Sequence, residues 1–218
     1  MNEVSIVTLE EVGKKFGIDP KVAFNMYKEI REKTRDEWND RLKTLISPPN
    51  VPGDLHTGST IRTFKGHYVN VFSPDPDTID LDDIAHGLSN TCRFGGHTYH
   101  FYSVAQHSYS VASHQLVPDD LKMTALLHDA TEAYMCDLPR PIKRNLPAYK
   151  EAENNLMLVI ANKFGLEFPF PDIIKKIDNL QLEIEHEHIM LGKNYACMSP
   201  VDAEGEFLYY YKLYSELR

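Results

Sequence analysis

The amino-acid sequence predicts an all-α protein, a helical bundle that carries a small β-hairpin and an N-terminal helix pair. Three observations support this prediction. Apolar residues recur at helical spacing in most segments after residue 80, with proline or glycine in most of the gaps. Only two short runs are rich in β-prone residues. The 218 residues, of which 42% are hydrophobic, suffice for one sizeable core.

The N-terminal segment has the signals of two consecutive helices. Thr8 and Glu11 form a capping box, and Gly17 is placed to end this first short helix. Asp19 is a suitable N-cap for a second helix, whose apolar residues keep an approximate helical period to about Ile46. In an acidic protein, such a pair is more typical of packing or an oligomer contact than of DNA binding.

A linker separates this pair from the rest of the chain. Residues 47–60 contain three prolines and two glycines, which favour an irregular segment. We therefore divide the chain into residues 1–60, the helix pair with its linker, and residues 61–218, the main domain. Two β-prone runs, 61–64 and 68–72, predict a hairpin. The remaining candidate helices cover about residues 80–90, 103–116, 119–135, 149–164, 171–192 and 202–216.

Composition limits the classes of function. The net charge of −9 argues against a nucleic-acid or membrane-surface binder. The sequence has no apolar run long enough to cross a membrane, and its N-terminus is acidic where a signal peptide would be basic, so we expect a cytoplasmic protein. The three cysteines are an odd number with wide spacing, which indicates reduced thiols rather than a disulfide framework.

Histidine and aspartate residues at buried positions form the main chemical signal. His128 and Asp129 follow a wholly apolar turn, and burying an unpaired charge costs several kcal/mol, so such residues are usually paired or bind a metal. His107 lies on the preceding predicted helix, which can pack antiparallel against theirs. Asp178 follows three isoleucines in an amphipathic helix. Spacing alone leaves open that His128 and Asp129 are a hydrogen-bonded core pair.

Two imidazoles and two carboxylates suit one divalent transition metal, such as Co, Mn, Zn or Fe. A metal of this kind would support hydrolysis of a phosphoester. Glu132 follows His128 by four residues and would share its helical face, where it could orient or deprotonate a water molecule.

These residues form the pattern H…HD…D, which resembles the signature of the HD-domain superfamily of metal-dependent phosphohydrolases. The following segment, HDATEAYMCDLPRPIK, is similar to the HD-domain 5′-deoxynucleotidases of bacteria and phages. The resemblance covers roughly residues 61–185. It implies an HD-domain helical bundle in which His107, His128, Asp129 and Asp178 are the metal ligands.

The resemblance also implies roles for residues around the metal. Glu132 would act on the nucleophilic water, and Asp137 would assist catalysis. Arg93 and Lys143 would contact phosphate. Beside Arg93, two consecutive glycines would let the backbone approach an anion, and His97 next to them is a candidate substrate contact.

The resemblance leads us to expect hydrolysis of deoxyribonucleotides, in the first place by a 5′-deoxynucleotidase, and a homo-oligomeric assembly. Two alternatives stay open. The number of residues between Asp129 and Asp178 is smaller than in the bacterial nucleoside-monophosphate enzymes. It is closer to that of the phage dATP triphosphohydrolases, which release triphosphate. A nucleotide-binding regulator could instead use the N-terminal helix pair to contact a partner. A triphosphate would need further cations, for which Lys122, Arg140, Arg144 and Lys150 are candidates.

Two other clusters are predicted to be structural. The acidic run 183–187, with its neighbouring histidines, has the composition of a solvated helix face. The tyrosines of the terminal helix are predicted to belong to the core: Tyr209, Tyr210, Tyr211 and Tyr214.

Overall fold

The computed structural model describes residues 19–44, 59–193 and 195–217. The first predicted helix, near residues 8–17, and most of the predicted linker lie outside these residues. The elements in chain order are α1 (Pro20–Thr44), β1 (Thr60–Arg62), β2 (Tyr68–Asn70), α2 (Leu81–Asn90), α3 (Val104–Ser113), α4 (Lys122–Leu126), α5 (Glu132–Met135), α6 (Arg140–Lys143), α7 (Pro147–Phe164), α8 (Asp172–Glu185) and α9 (Pro200–Ser215). The predicted all-α class with one small hairpin is confirmed.

Helix α1 packs against the C-terminal helix α9. It begins as predicted, with the Asp19 carboxylate accepting a backbone N–H of the first turn at 2.7 Å. The rings of Tyr27 and Tyr209 meet edge to face with centroids 5.5 Å apart, and Arg31 forms an ion pair with Asp202. The described part of the N-terminal segment therefore packs directly on the main domain.

The core lies between α2, α3, α4, α7, α8 and α9. Each of these helices contributes fully buried apolar side chains, as the amphipathic patterns predict: Ile84, Leu88, Val111, Leu126, Leu156, Ile160, Ile177, Phe207 and Leu213. Tyr209, Tyr210 and Tyr214 are buried among them, as predicted, and Tyr211 packs against this cluster while partly exposed. In the described part of the chain, no helix is both long and apolar enough to cross a membrane.

A close contact joins α2 to the short helix α5. A Cβ atom added at Gly87 would lie 2.9 Å from both the Cβ and the backbone oxygen of Ala133. Only glycine lets the two backbones approach this closely. Because Glu132 is the first residue of α5, this contact also fixes the position of a predicted catalytic group.

The hairpin is anchored to α2 through a buried carboxylate, and Lys65 Nζ also donates to Asp80 at 3.2 Å and to Asp82 at 2.8 Å. Strands β1 and β2 pair antiparallel over three residues each. Asp83, near the start of α2, accepts hydrogen bonds from Thr63 Oγ1 at 2.7 Å, the backbone N–H of Lys65 at 2.6 Å and His67 Nδ1 at 2.7 Å. These bonds satisfy a carboxylate that is otherwise costly to bury.

The prediction of one helix over residues 119–135 is wrong. The chain forms a single 3-10 turn, then α4, then a turn over residues 127–131, and only then α5. At the break, His128 Nδ1 donates to the backbone oxygen of Ala125 at 2.8 Å. The His-Asp pair therefore lies in a tight turn between two short helices. Helix α8 likewise ends before residue 192 and continues as a π-helical segment, His186–Met190.

Candidate metal centre

Three elements bring the predicted metal ligands together. Helix α3 carries His107, the turn between α4 and α5 carries His128 and Asp129, and α8 carries Asp178. One ligand atom from each of His107, His128 and Asp129 lies within 4.8 Å of the others. Asp178 is outside this tight group but close to it, since its Oδ1 lies 3.2 Å from His107 Nε2 and 3.9 Å from His128 Nε2.

The two imidazoles direct the same nitrogen toward the carboxylates. His107 Nδ1 donates to Glu185 Oε1 at 2.6 Å, and His128 Nδ1 donates to the Ala125 oxygen at 2.8 Å. Nε2 of each ring is buried and makes no hydrogen bond, although Asp178 Oδ1 lies 3.2 Å from His107 Nε2 and Asp129 Oδ2 lies 3.2 Å from His128 Nε2. With Nδ1 as the donor, a neutral imidazole presents the Nε2 lone pair, as metal-binding histidines do.

The electrostatics of the cluster favour a positive charge at its centre. Burial and the Arg93 charge lower the pKa of His107. The Glu185 and Asp178 carboxylates outweigh these effects and raise that pKa to about 9. Burial raises the pKa values of Asp129 and Asp178, but the two imidazoles hold both below the usual aspartate value. The acids therefore stay ionised beside the histidines.

Asp178 is also held by a cation on α6. Its Oδ2 accepts from Arg140 Nη2 at 2.8 Å, and Arg140 Nη1 donates to Asn179 Oδ1 at 2.6 Å. About half of the Arg140 side chain is exposed. This pair places a solvent-accessible cation at the edge of the cluster.

The predicted base, Glu132, is buried beside a cation. Its Oε2 has no hydrogen-bond partner, and its Oε1 lies 3.9 Å from Lys143 Nζ. Burial raises the pKa of Glu132 well above its usual value, and the charges of Asp129 and Asp137 raise it further. Lys143 is held by an ion pair with Glu153 of α7. Glu132 is therefore placed to accept a proton.

Arg93 lies next to the predicted ligand Asp129 and is almost fully buried. Its Nε donates to Glu185 Oε2 at 2.9 Å. Its Nη1 lies 3.8 Å from Asp129 Oδ2 and 3.9 Å from Asp137 Oδ2. Burial raises the pKa of the Asp137 carboxyl. A guanidinium and a carboxyl that can hold a proton thus lie next to the predicted ligands.

His97 lies on the loop that follows Arg93, and its side chain is exposed. Phe94 and Gly95 have positive φ values of 56° and 61°, so the chain turns sharply there. A Cβ added at Gly95 would lie 3.6 Å from His97 Cδ2 and 3.9 Å from Pro139 Cγ. The loop therefore sits against the turn that leads into α6.

Comparisons with known proteins identify two relatives. The uncharacterized protein YfdR of Escherichia coli (strain K12) is 44% identical over 133 residues, which cover 61% of this chain and 74% of that protein. The chain belongs to the YfdR family. An uncharacterized protein of Rhodobacter capsulatus is 30% identical over 147 residues, covering 59% of this chain and 71% of that protein. No model of a protein family matches this YfdR-family chain.

One residue of the site was not predicted from the sequence. The acidic run 183–187 was expected to be solvated, yet Glu185 is fully buried. Its carboxylate accepts hydrogen bonds from His107, Arg93 and Tyr102, the last from the hydroxyl at 2.9 Å. Glu183 and Glu187 are exposed, as expected.

The predicted extra cations are distributed unevenly. Arg140 lies at the cluster, as described. Lys122 does not point toward it: the side chain is fully buried, and its Nζ donates to the backbone oxygen of His114 at 2.8 Å. Arg144 and Lys150 are exposed. Of these four, Arg140 is the one that the structure holds against a predicted ligand.

Proposed function

We propose that this chain is a metal-dependent phosphohydrolase of the HD-domain superfamily that acts on deoxyribonucleotides, most simply as a 5′-deoxynucleotidase. The observation that supports the proposal is a set of buried polar atoms that lack a hydrogen-bond partner beside the carboxylates of Asp129 and Asp178. Nε2 of His107 and of His128 and Oε2 of Glu132 are all of this kind. Buried polar atoms are rarely left unsatisfied in proteins unless they bind a ligand or an ion.

The donor set fits one divalent transition metal. Imidazole nitrogens and carboxylate oxygens are the donors that Mn, Fe, Co and Zn prefer. His107, His128, Asp129 and Asp178 would hold the ion. When bound, such an ion lowers the pKa of a coordinated water and neutralises charge on phosphoryl oxygens.

The surrounding side chains supply the other groups that phosphoester hydrolysis needs. Glu132 would take a proton from the attacking water at Oε2, for which its raised pKa is suited. Arg93 and Lys143 flank the cluster and would bind phosphoryl oxygens. Asp137 has a raised pKa and would deliver a proton to the departing nucleoside oxygen.

Arg140 favours a second candidate within the same class, a triphosphohydrolase. One phosphate is served by Arg93, Lys143 and the metal, whereas a triphosphate carries more charge and needs a further cation. Arg140 is half exposed at the edge of the cluster and could supply it. The two candidates differ in their products, so they can be separated directly.

A nucleotide panel tests the proposal. The protein is stripped with a chelator, reloaded with Mn, Co or Zn, and incubated with dAMP, AMP, dATP and ATP, and the products are separated by chromatography. Deoxynucleoside with orthophosphate is the expected result, at a rate about 10²-fold above the ribonucleotide, since a deoxyribose-specific site would leave no room for the 2′-hydroxyl. Deoxynucleoside with triphosphate would support the second candidate. Equal rates on dATP and ATP, or no turnover of any nucleotide, would refute both.

A matched pair of histidine variants links activity to the cluster. His128→Ala removes a proposed ligand and should abolish both metal content and turnover. His186→Ala changes an exposed histidine after the end of α8 and should leave both unchanged. Full activity in a His128→Ala protein that elemental analysis shows to be metal-free would exclude the proposed site.

A further inference from the structure

We infer that Glu185 is a positioning residue that joins the metal site to the phosphate site, an inference that rests on the proposed function. Its carboxylate is fully buried and uses both oxygens. Oε1 accepts from His107 Nδ1 at 2.6 Å and from the Tyr102 hydroxyl at 2.9 Å. Oε2 accepts from Arg93 Nε at 2.9 Å. One side chain thus contacts both a proposed metal ligand, His107, and a residue proposed to bind phosphate, Arg93.

Helix α8 holds the His107 ring from both of its edges. Asp178 and Glu185 are seven residues apart, about two turns, so they lie on the same helical face. Asp178 Oδ1 lies 3.2 Å from Nε2 of the ring, and Glu185 Oε1 lies 2.6 Å from Nδ1. The carboxylate at Nδ1 fixes the tautomer in which Nε2 can bind a metal, and it raises the basicity of the ring.

The second oxygen of Glu185 sets the direction of the guanidinium. With Arg93 Nε engaged, Nη1 is turned toward Asp129 and Asp137, 3.8 and 3.9 Å away. This is the side on which a phosphoryl group would meet the ligands. A change at Glu185 should therefore weaken metal binding and phosphate binding together, whereas a residue that only stabilises the fold would affect neither.

The Glu185→Gln variant tests this coupling. The amide has the size of the carboxylate, but its NH₂ group must face a donor, either at Arg93 or at His107 and Tyr102. We expect the Kd for Co²⁺, measured by competition with a chelator, to rise about 10- to 100-fold. The Kd for orthophosphate on the cobalt-loaded protein should rise as well.

Two control variants separate positioning from stability. Glu183→Gln changes an exposed acid on the same helix, and Tyr102→Phe removes one bond to the same carboxylate without touching the His107 bond. Both should bind Co²⁺ as the wild type does. A folded Glu185→Gln protein that keeps the wild-type Kd for Co²⁺ or for orthophosphate would overturn the inference alone. An equal loss of Co²⁺ affinity in Tyr102→Phe would do the same. A wild type that binds no metal would overturn the proposed function and the inference with it.

A measurement on the wild type covers the case in which Glu185→Gln does not fold. In protein with ¹⁵N-labelled histidine and bound Zn²⁺, NMR should show a proton on His107 Nδ1, shifted strongly downfield by the carboxylate, and none on Nε2. Coordination through Nδ1, with the proton on Nε2, would overturn the inference.

Discussion

Replacing Gly87 with alanine is expected to lower the free energy of unfolding and to displace α5. The new Cβ would lie 2.9 Å from the Cβ and backbone oxygen of Ala133, so the two helices must separate by about 0.5 Å or more to reach ordinary contact distances. Overpacking of this kind costs about 1–3 kcal/mol, against which alanine regains about 1 kcal/mol of helix propensity. We therefore expect a net loss of up to about 2 kcal/mol.

Gly205→Ala in α9 is the matched control. A Cβ at Gly205 would meet the Cγ of Arg31 at 3.1 Å and the Arg31 backbone no closer than 3.7 Å, so a side-chain shift of a few tenths of an ångström suffices. The control should therefore be neutral or up to about 1 kcal/mol more stable than the wild type. Urea unfolding followed by circular dichroism compares the two variants. Because Glu132 starts the displaced helix, turnover should also fall in Gly87→Ala. Equal stability of the two variants would refute the close-contact argument.

Three further predictions concern single side chains. Glu132→Gln should keep its metal, as elemental analysis would show, and lose turnover by about 10²- to 10⁴-fold; loss of the metal instead would make Glu132 a ligand. Arg140→Gln should bind Co²⁺ more tightly, because Asp178 loses a competing cation; weaker binding would contradict this. Asp80→Ala should lose about 1 kcal/mol of stability near pH 7 through the lost N-cap of α2. Burial raises the pKa of Asp80, but bonds from Lys65 and the backbone lower it overall. The folded pKa of Asp80 is therefore below the usual 3.8, so the stabilisation by its carboxylate should be complete above pH 3.8 and should be lost as the pH falls through the lower folded pKa. Urea unfolding at several pH values would show this loss.

Local sequence signals predicted most of the longer helices closely. The expected segments 80–90 and 202–216 became α2 and α9 with shifts of one or two residues, because caps and apolar periodicity mark their ends. The break inside 119–135 carried no such signal. Its residues are mostly good helix formers without proline or glycine, and the chain leaves the helix where His128 Nδ1 bonds to a backbone oxygen.

The predicted metal ligands were brought together, whereas the carboxylate behind them was missed. An acidic run suggests a solvated face because composition does not show which side of a helix faces the core. The spacing could have indicated it, since Glu185 follows Asp178 by seven residues and must share its face. Its partners Arg93 and Tyr102 come from distant parts of the chain, and only tertiary packing brings them to one carboxylate.

The anchoring of the hairpin by Asp83 has a consequence for local unfolding. Two strands of three residues are too short to persist alone in water, so their order depends on α2. Thr63, Lys65 and His67 all bond to the one carboxylate, and they should therefore release together. Amide hydrogens of the hairpin should exchange with solvent through this single opening, at a cost of about a few kcal/mol, well before those of the core helices.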